Sequence, residues 1–130
     1  FLRKSIQTYL AGYEADIRDA YPGINAVTLM ALINDNRYLE YLSAVKLAVT
    51  LKMKTKKPDY WDYATLLELA VLKENSAEAK EQLLNALAEK TEDWMPTTTI
   101  NNLKKLKAAF QQQGKEINFI DEIIDALKAQ

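Results

Sequence analysis

Eight side chains offer this sequence a means of recognition: Arg18, Asn25, Thr28, Trp61, Thr65, Glu68, Thr98 and Asn102. An indole supplies a flat stacking surface, while amides and hydroxyls supply donors and acceptors that adapt to a bound group. That chemistry suits a nucleobase or a peptide. Trp61, Thr65 and Glu68 stand at i, i+4 and i+7, one face of one helix, and Thr98 and Asn102 are likewise four apart. A plainer reading stands beside each. Trp61 can be a core aromatic, Thr97 to Thr99 can cap a helix, and Arg18 with Asp19 can be a surface pair worth about 0–1 kcal/mol. Trp94, in a stretch that contains Pro96, is expected to pack.

Other clusters promise less. Asp121, Glu122 and Asp125 resemble an acid/base set, but on an exposed helix face they read as solvated charge. Lys52, Lys54, Lys56 and Lys57 crowd into a short linker, either an anion-binding patch or, as we expect, a solvated loop. Asn34-Asp35-Asn36 is a turn by composition and lacks the later Gly and Glu of a calcium loop. The chain has no cysteine and no histidine. That removes disulfides, thiolate nucleophiles, histidine relays and the usual zinc sites. No nucleophile, base and orienting group come together, so we expect no enzyme, no cofactor and no metal.

The 130 residues are one domain by size, and the formal net charge of -1 sets up no field that would recruit nucleic acid or an anionic membrane. Pro and Gly, three each, are scarce, which favours helix. No apolar run approaches 18 residues and no signal peptide is evident, and the lack of cysteine fits the cytoplasm. The chain opens on Phe1, and we expect it to be a piece of a longer protein.

Apolar spacing predicts the elements that must carry these residues. Helix 1 runs from Arg3 to about Ile17 through Ile6, Leu10 and Tyr13. Pro22 suits a first helical turn and Gly23 relaxes a bend, so Ala20 to Ala26 reads as a hinge before a helix from Ile24 to Ile33. That helix is apolar almost all round apart from Asn25 and Thr28. Helix 3 runs from about Arg37 to Met53, and helix 4 from an Asp59 cap to about Lys73. Helix 5 opens at Asn75-Ser76 with a cap pairing Asn75 and Glu78, and buries Ala79, Leu83, Leu84 and Leu87. Thr91 to Pro96 is a loop. Helix 6 spans Thr97 to about Gln113, stopped by Gly114, and helix 7 spans Asn118 to Ala129.

Asp59-Tyr60-Trp61 and Asp93-Trp94-Met95 lie 34 residues apart, each before a helix of similar character. That spacing is one tetratricopeptide unit, although Glu68 stands where the repeat expects Tyr. The expected fold is all-α: about seven helices stacked as tetratricopeptide-like hairpins in a short right-handed α-solenoid. Helices 2, 4 and 6 would line its concave side.

Several segments together resemble a known family. They are Gly12 to Asp16, Arg18 to Leu29 with its Tyr-Pro-Gly-Ile-Asn core, Tyr60 to Glu68, Trp94 to Thr98, and Asn102-Leu103. They look like the tetratricopeptide-like sensor domain, also called the TRAFs-binding or central regulatory domain of apoptosis signal-regulating MAP kinase kinase kinases, with bacterial relatives beside effector domains. The resemblance implies a regulatory, non-catalytic module. In the bacterial relatives a nucleotide-derived ligand is proposed, and in the kinase relatives protein contacts. The chain has no Gly-rich loop, His-Arg-Asp or Asp-Phe-Gly, so kinase activity is not carried over. The leading expectation is a sensor that binds a nucleotide-like ligand in the groove and controls a linked effector domain. The alternative is a protein-interaction scaffold with no small ligand.

Overall fold

The computed structural model describes residues 2–16, 20–33 and 35–129. Among these, seven helices and no strand are found: α1 (Leu2–Ala15), α2 (Ala20–Leu32), α3 (Tyr38–Thr55), α4 (Tyr60–Leu72), α5 (Ser76–Ala88), α6 (Met95–Gln112) and α7 (Phe119–Lys128). The architecture is all-α, as the apolar spacing predicts. The chain divides into two compact units, Phe1–Lys57 and Pro58–Gln130.

In the first unit α1 packs on α2 and α2 on α3. Ile6 and Leu10 from α1 meet Ala26 and Met30 from α2, with Tyr9, Leu29, Ile33, Tyr38 and Tyr41 around them. Ile17 and Arg18 lie outside the described residues. The hinge expected at Ala20 to Ala26 is instead the opening of α2, which starts four residues before Ile24. Pro22 falls in the first turn, where its missing N–H leaves no intrahelical bond unmade. Gly23 is needed for space. A Cβ there would lie 2.7 Å from Cδ1 of Tyr13 and 2.8 Å from Cγ2 of Val45. The absent side chain lets α1 and α3 both close on α2. Tyr13 also meets Tyr41 edge-on, with ring centroids 6.3 Å apart.

The turn before α3 is built by Asp35. Its carboxylate accepts the Arg37 backbone N–H at 3.1 Å and the guanidinium at 2.8 Å, and the guanidinium holds the acid below its ordinary value.

In the second unit α4 packs on α5 and α6, and α7 on α5 and α6, so two hairpins stack. Helix α4 is buried on nearly every side; Ala64, Leu67, Ala70 and Val71 are joined by Leu66, Leu69 and Leu72. Its start is fixed by a reciprocal cap: Asp59 accepts from the Asp62 N–H, and Asp62 accepts from the Asp59 N–H, each at 3.0 Å. Asn75 caps α5 by accepting from the Glu78 N–H at 3.1 Å, and its amide reaches the Glu78 carboxylate at 3.3 Å. Leu84, expected inside, is 68% exposed. The buried face of α5 runs through Ala79, Leu83 and Ala86, and Leu84 lies about 100° round the helix from Leu83.

Two helices end in the same way. After α6, Gly114 at φ +75° donates to the Gln111 carbonyl and Lys115 to that of Phe110. After α4, Glu74 takes the corresponding place at φ +58°, where it donates to Val71 while Asn75 donates to Ala70. This closing motif favours glycine at the left-handed position, so Glu74 sits there with steric strain.

Candidate functional site

The Asp59–Asp62 cap fixes the first turn of α4 and with it the directions of Tyr60 and Trp61. Tyr60 points inward, 1% exposed, and its hydroxyl shares a 2.8 Å hydrogen bond with that of buried Thr99 on α6. Burial raises the Tyr60 phenol above its ordinary value. Trp61, one residue on, turns outward. It is 37% exposed and meets the Tyr60 ring edge-on at 5.0 Å.

The second indole comes from the start of α6. Trp94 occupies the position before the helix, Pro96 sits in its first turn, and Met95 packs toward Tyr60, Ala64 and Ala86. The expected loop from Thr91 to Pro96 is therefore shorter, because proline at the start of a helix is favoured rather than disruptive. Trp94, expected to pack, is 59% exposed and lies against Trp61, with centroids 6.0 Å apart and planes at 39°. The result is a two-indole platform backed by a buried, hydrogen-bonded tyrosine.

Further along the same two helices, Asn102 donates from Nδ2 to Oε1 of Glu68 at 2.9 Å. Glu68 is 6% exposed. Burial pushes its carboxyl up to about 7, partly countered by the Asn102 hydrogen bond. The two polar groups that sequence placed in a ligand groove thus satisfy each other between α4 and α6.

Of the other expected site residues, Thr65 is half-buried and donates its hydroxyl to the Trp61 carbonyl at 2.9 Å, within its own helix. Thr98 is exposed on α6, beside the buried Thr99. Asn25 and Thr28 are half-buried, three residues apart on α2 of the first unit. The second unit thus brings Glu68 to Asn102 and Trp61 to Trp94. Sequence reasoning missed Trp94 and the Tyr60–Thr99 pair. One signal was present: Glu68 and Asn102 are 34 residues apart, the same period that relates the two Asp-aromatic starts.

Carboxylates gather at this end of the unit. Asp59, Glu92 and Asp93 are exposed, and Lys90 holds Asp93 at 3.1 Å. The two inclined indoles give this end an exposed apolar surface with carboxylates and a lysine beside it. No helix among the described residues is long and apolar enough to cross a membrane.

No curated protein and no solved structure matches the chain. The family described as MAP3K TRAFs-binding domain matches residues 1–125. On that match, which covers nearly the whole length, the chain belongs to the MAP3K TRAFs-binding domain family.

Proposed function

We propose that this chain is a non-catalytic, regulatory protein-interaction module whose contact surface is the Trp61–Trp94 platform. The observation that carries this reading is the pair of adjacent indoles, 37% and 59% exposed, backed by the buried Tyr60–Thr99 hydrogen bond. Tryptophan is enriched among the few residues that dominate protein interfaces, and it loses little conformational entropy when covered. The family's description supplies the class of partner, a TRAF protein. The nucleotide-sensing reading has lost its support in the second unit, because Glu68 and Asn102 are spent on each other and Thr65 on its own backbone.

The test is a calorimetric titration of a purified TRAF protein into this chain, run beside a thermal-shift screen of nucleotides. The expected result is saturable binding of the TRAF protein and no nucleotide-dependent rise in the unfolding midpoint. A midpoint raised by a nucleotide, with no TRAF binding, restores the sensor reading and overturns this one.

A further inference from the structure

We propose that the outward face of α3 is a second docking surface, suited to an acidic amphipathic helix of a partner protein. Apolar side chains of that helix would lie on Leu39, Leu47 and Leu51, and its carboxylates would meet Lys54, Lys56 and Lys57. The surface belongs to the first unit, goes beyond the Trp61–Trp94 reading and is tested apart from it. Three observations carry it.

The first is exposed apolar surface. Among the described residues six large apolar side chains are exposed, and three of them, Leu39, Leu47 and Leu51, are on α3. At about 100° per residue the three fall within roughly 120° of arc, and Leu42, Val45 and Val49 are buried on the opposite side. Thr50 and Thr55 donate their hydroxyls to the Lys46 and Lys52 carbonyls at 2.8 and 3.0 Å, so both are satisfied within the helix. From Leu39 to Leu51 the stripe is about 18 Å long, which matches a short helix laid beside it.

The second is charge. From Tyr41 to Pro58 the chain carries five lysines and no acid. The acids nearest in sequence are Glu40 and Asp59, and the lysines outnumber them. Helix α2, on which α3 packs, has no charged residue, and Asp35 is held by Arg37 at 2.8 Å. The whole first unit has nine Lys and Arg against five Asp and Glu, so the excess is not cancelled by its other elements. Lys54, Lys56 and Lys57 are exposed and make no ion pair among the described residues. A helix end favours lysine in its last turn, which suits Lys52 and Lys54, but Lys56 and Lys57 lie beyond it.

The third is that other occupants match only part of the face. The α3 of a second copy would set lysine against lysine. A nucleic-acid backbone would meet the lysines and leave the leucines uncovered. Helices that lie on membranes anchor a broad apolar face with tryptophan or phenylalanine, and α3 has neither. An acidic amphipathic helix covers the leucines and neutralises the lysines together.

The probe is a fluorescein-labelled peptide of about 18 residues, with leucine at helical spacing and glutamate and alanine between. The control peptide carries serine for leucine. Fluorescence anisotropy should show saturable binding of the leucine peptide, weakened by salt, and none of the control. The double variant Leu47→Ala, Leu51→Ala should weaken binding about tenfold or more. The triple variant Lys54→Gln, Lys56→Gln, Lys57→Gln should weaken it about fivefold and flatten its salt dependence. Trp94→Ala should leave it unchanged, and all variants should keep the parent's unfolding midpoint. No binding at millimolar peptide, or parent affinity in both the leucine and the lysine variants, overturns the proposal. So does binding that depends on Trp94 and not on Leu47 and Leu51. Phosphatidylserine vesicles that sediment the chain while the peptide fails to bind identify a lipid surface instead. Self-association in analytical ultracentrifugation that the leucine variant abolishes, with no peptide binding, identifies a second copy. Either result overturns the proposal.

Discussion

Glu68→Gln should make this protein more stable, and should do so only where the parent carboxyl is ionised. Glu68 is 6% exposed, accepts one hydrogen bond from Asn102, and is pushed from an ordinary 4.5 to about 7, chiefly by burial. A carboxyl raised on folding binds its proton more tightly in the native state. Between about pH 4.5 and pH 7 the native chain therefore holds more protons than the unfolded chain, and stability falls as pH rises through that window. Below it the neutral acid costs nothing further, and above it the loss is complete. At about 1.4 kcal/mol per pH unit, the span of the shift corresponds to roughly 3 kcal/mol. Glutamine has the same shape, keeps an oxygen for the Asn102 amide and carries no charge to bury. Urea unfolding at pH 5 and pH 8 checks this. The variant should gain about 1–3 kcal/mol over the parent at pH 8 and clearly less at pH 5. A variant no more stable than the parent at pH 8, or an equal difference at both values, would refute the assignment of Glu68 as a desolvated acid.

Three further outcomes follow from local geometry. Gly23→Ala should destabilise the chain by about 1–3 kcal/mol in urea unfolding, and Gly23→Val by more, because overpacking against Tyr13 and Val45 outweighs the helix propensity gained. Glu74→Gly should raise the unfolding midpoint, with a gain of at most about 1 kcal/mol, by relieving the left-handed residue after α4, less whatever the exposed pair with Lys115 contributes. Asn102→Ala should cost about 1–3 kcal/mol at pH 8 and move the Glu68 titration, followed by NMR, further upward, since the carboxylate loses its donor.

Much of the fold was legible because apolar spacing is local. Ile100, Leu103, Leu106 and Phe110 are buried on α6, and Ile120, Ile123, Ile124 and Leu127 on α7, as their spacing predicts. Asp59 as a cap and Gly114 as a stop were legible for the same reason, since each acts on backbone within a few residues. What failed was information carried by distant residues. Gly23 reads locally as flexibility, yet its role is set by Tyr13 and Val45 on two other helices. Pro96 reads as a loop, yet a proline also begins helices, and only the packing of Met95 and Pro96 decides between the two. Glu68 and Trp61 were rightly placed on one helix, but whether a polar residue faces a ligand or a neighbouring helix depends on what stands 34 residues away.

Trp94→Ala tests most directly the proposal that Trp61 and Trp94 form a protein-docking surface. Trp94 is 59% exposed, so removing it leaves the core intact and the unfolding midpoint should move little. The measurement is the dissociation constant for a TRAF protein, for parent and variant at the same ionic strength. The expected result is a weakening of about tenfold or more, the size of effect that marks a central interface tryptophan, at an unchanged midpoint. A variant that folds as the parent does and binds the TRAF protein with the parent's affinity would contradict it.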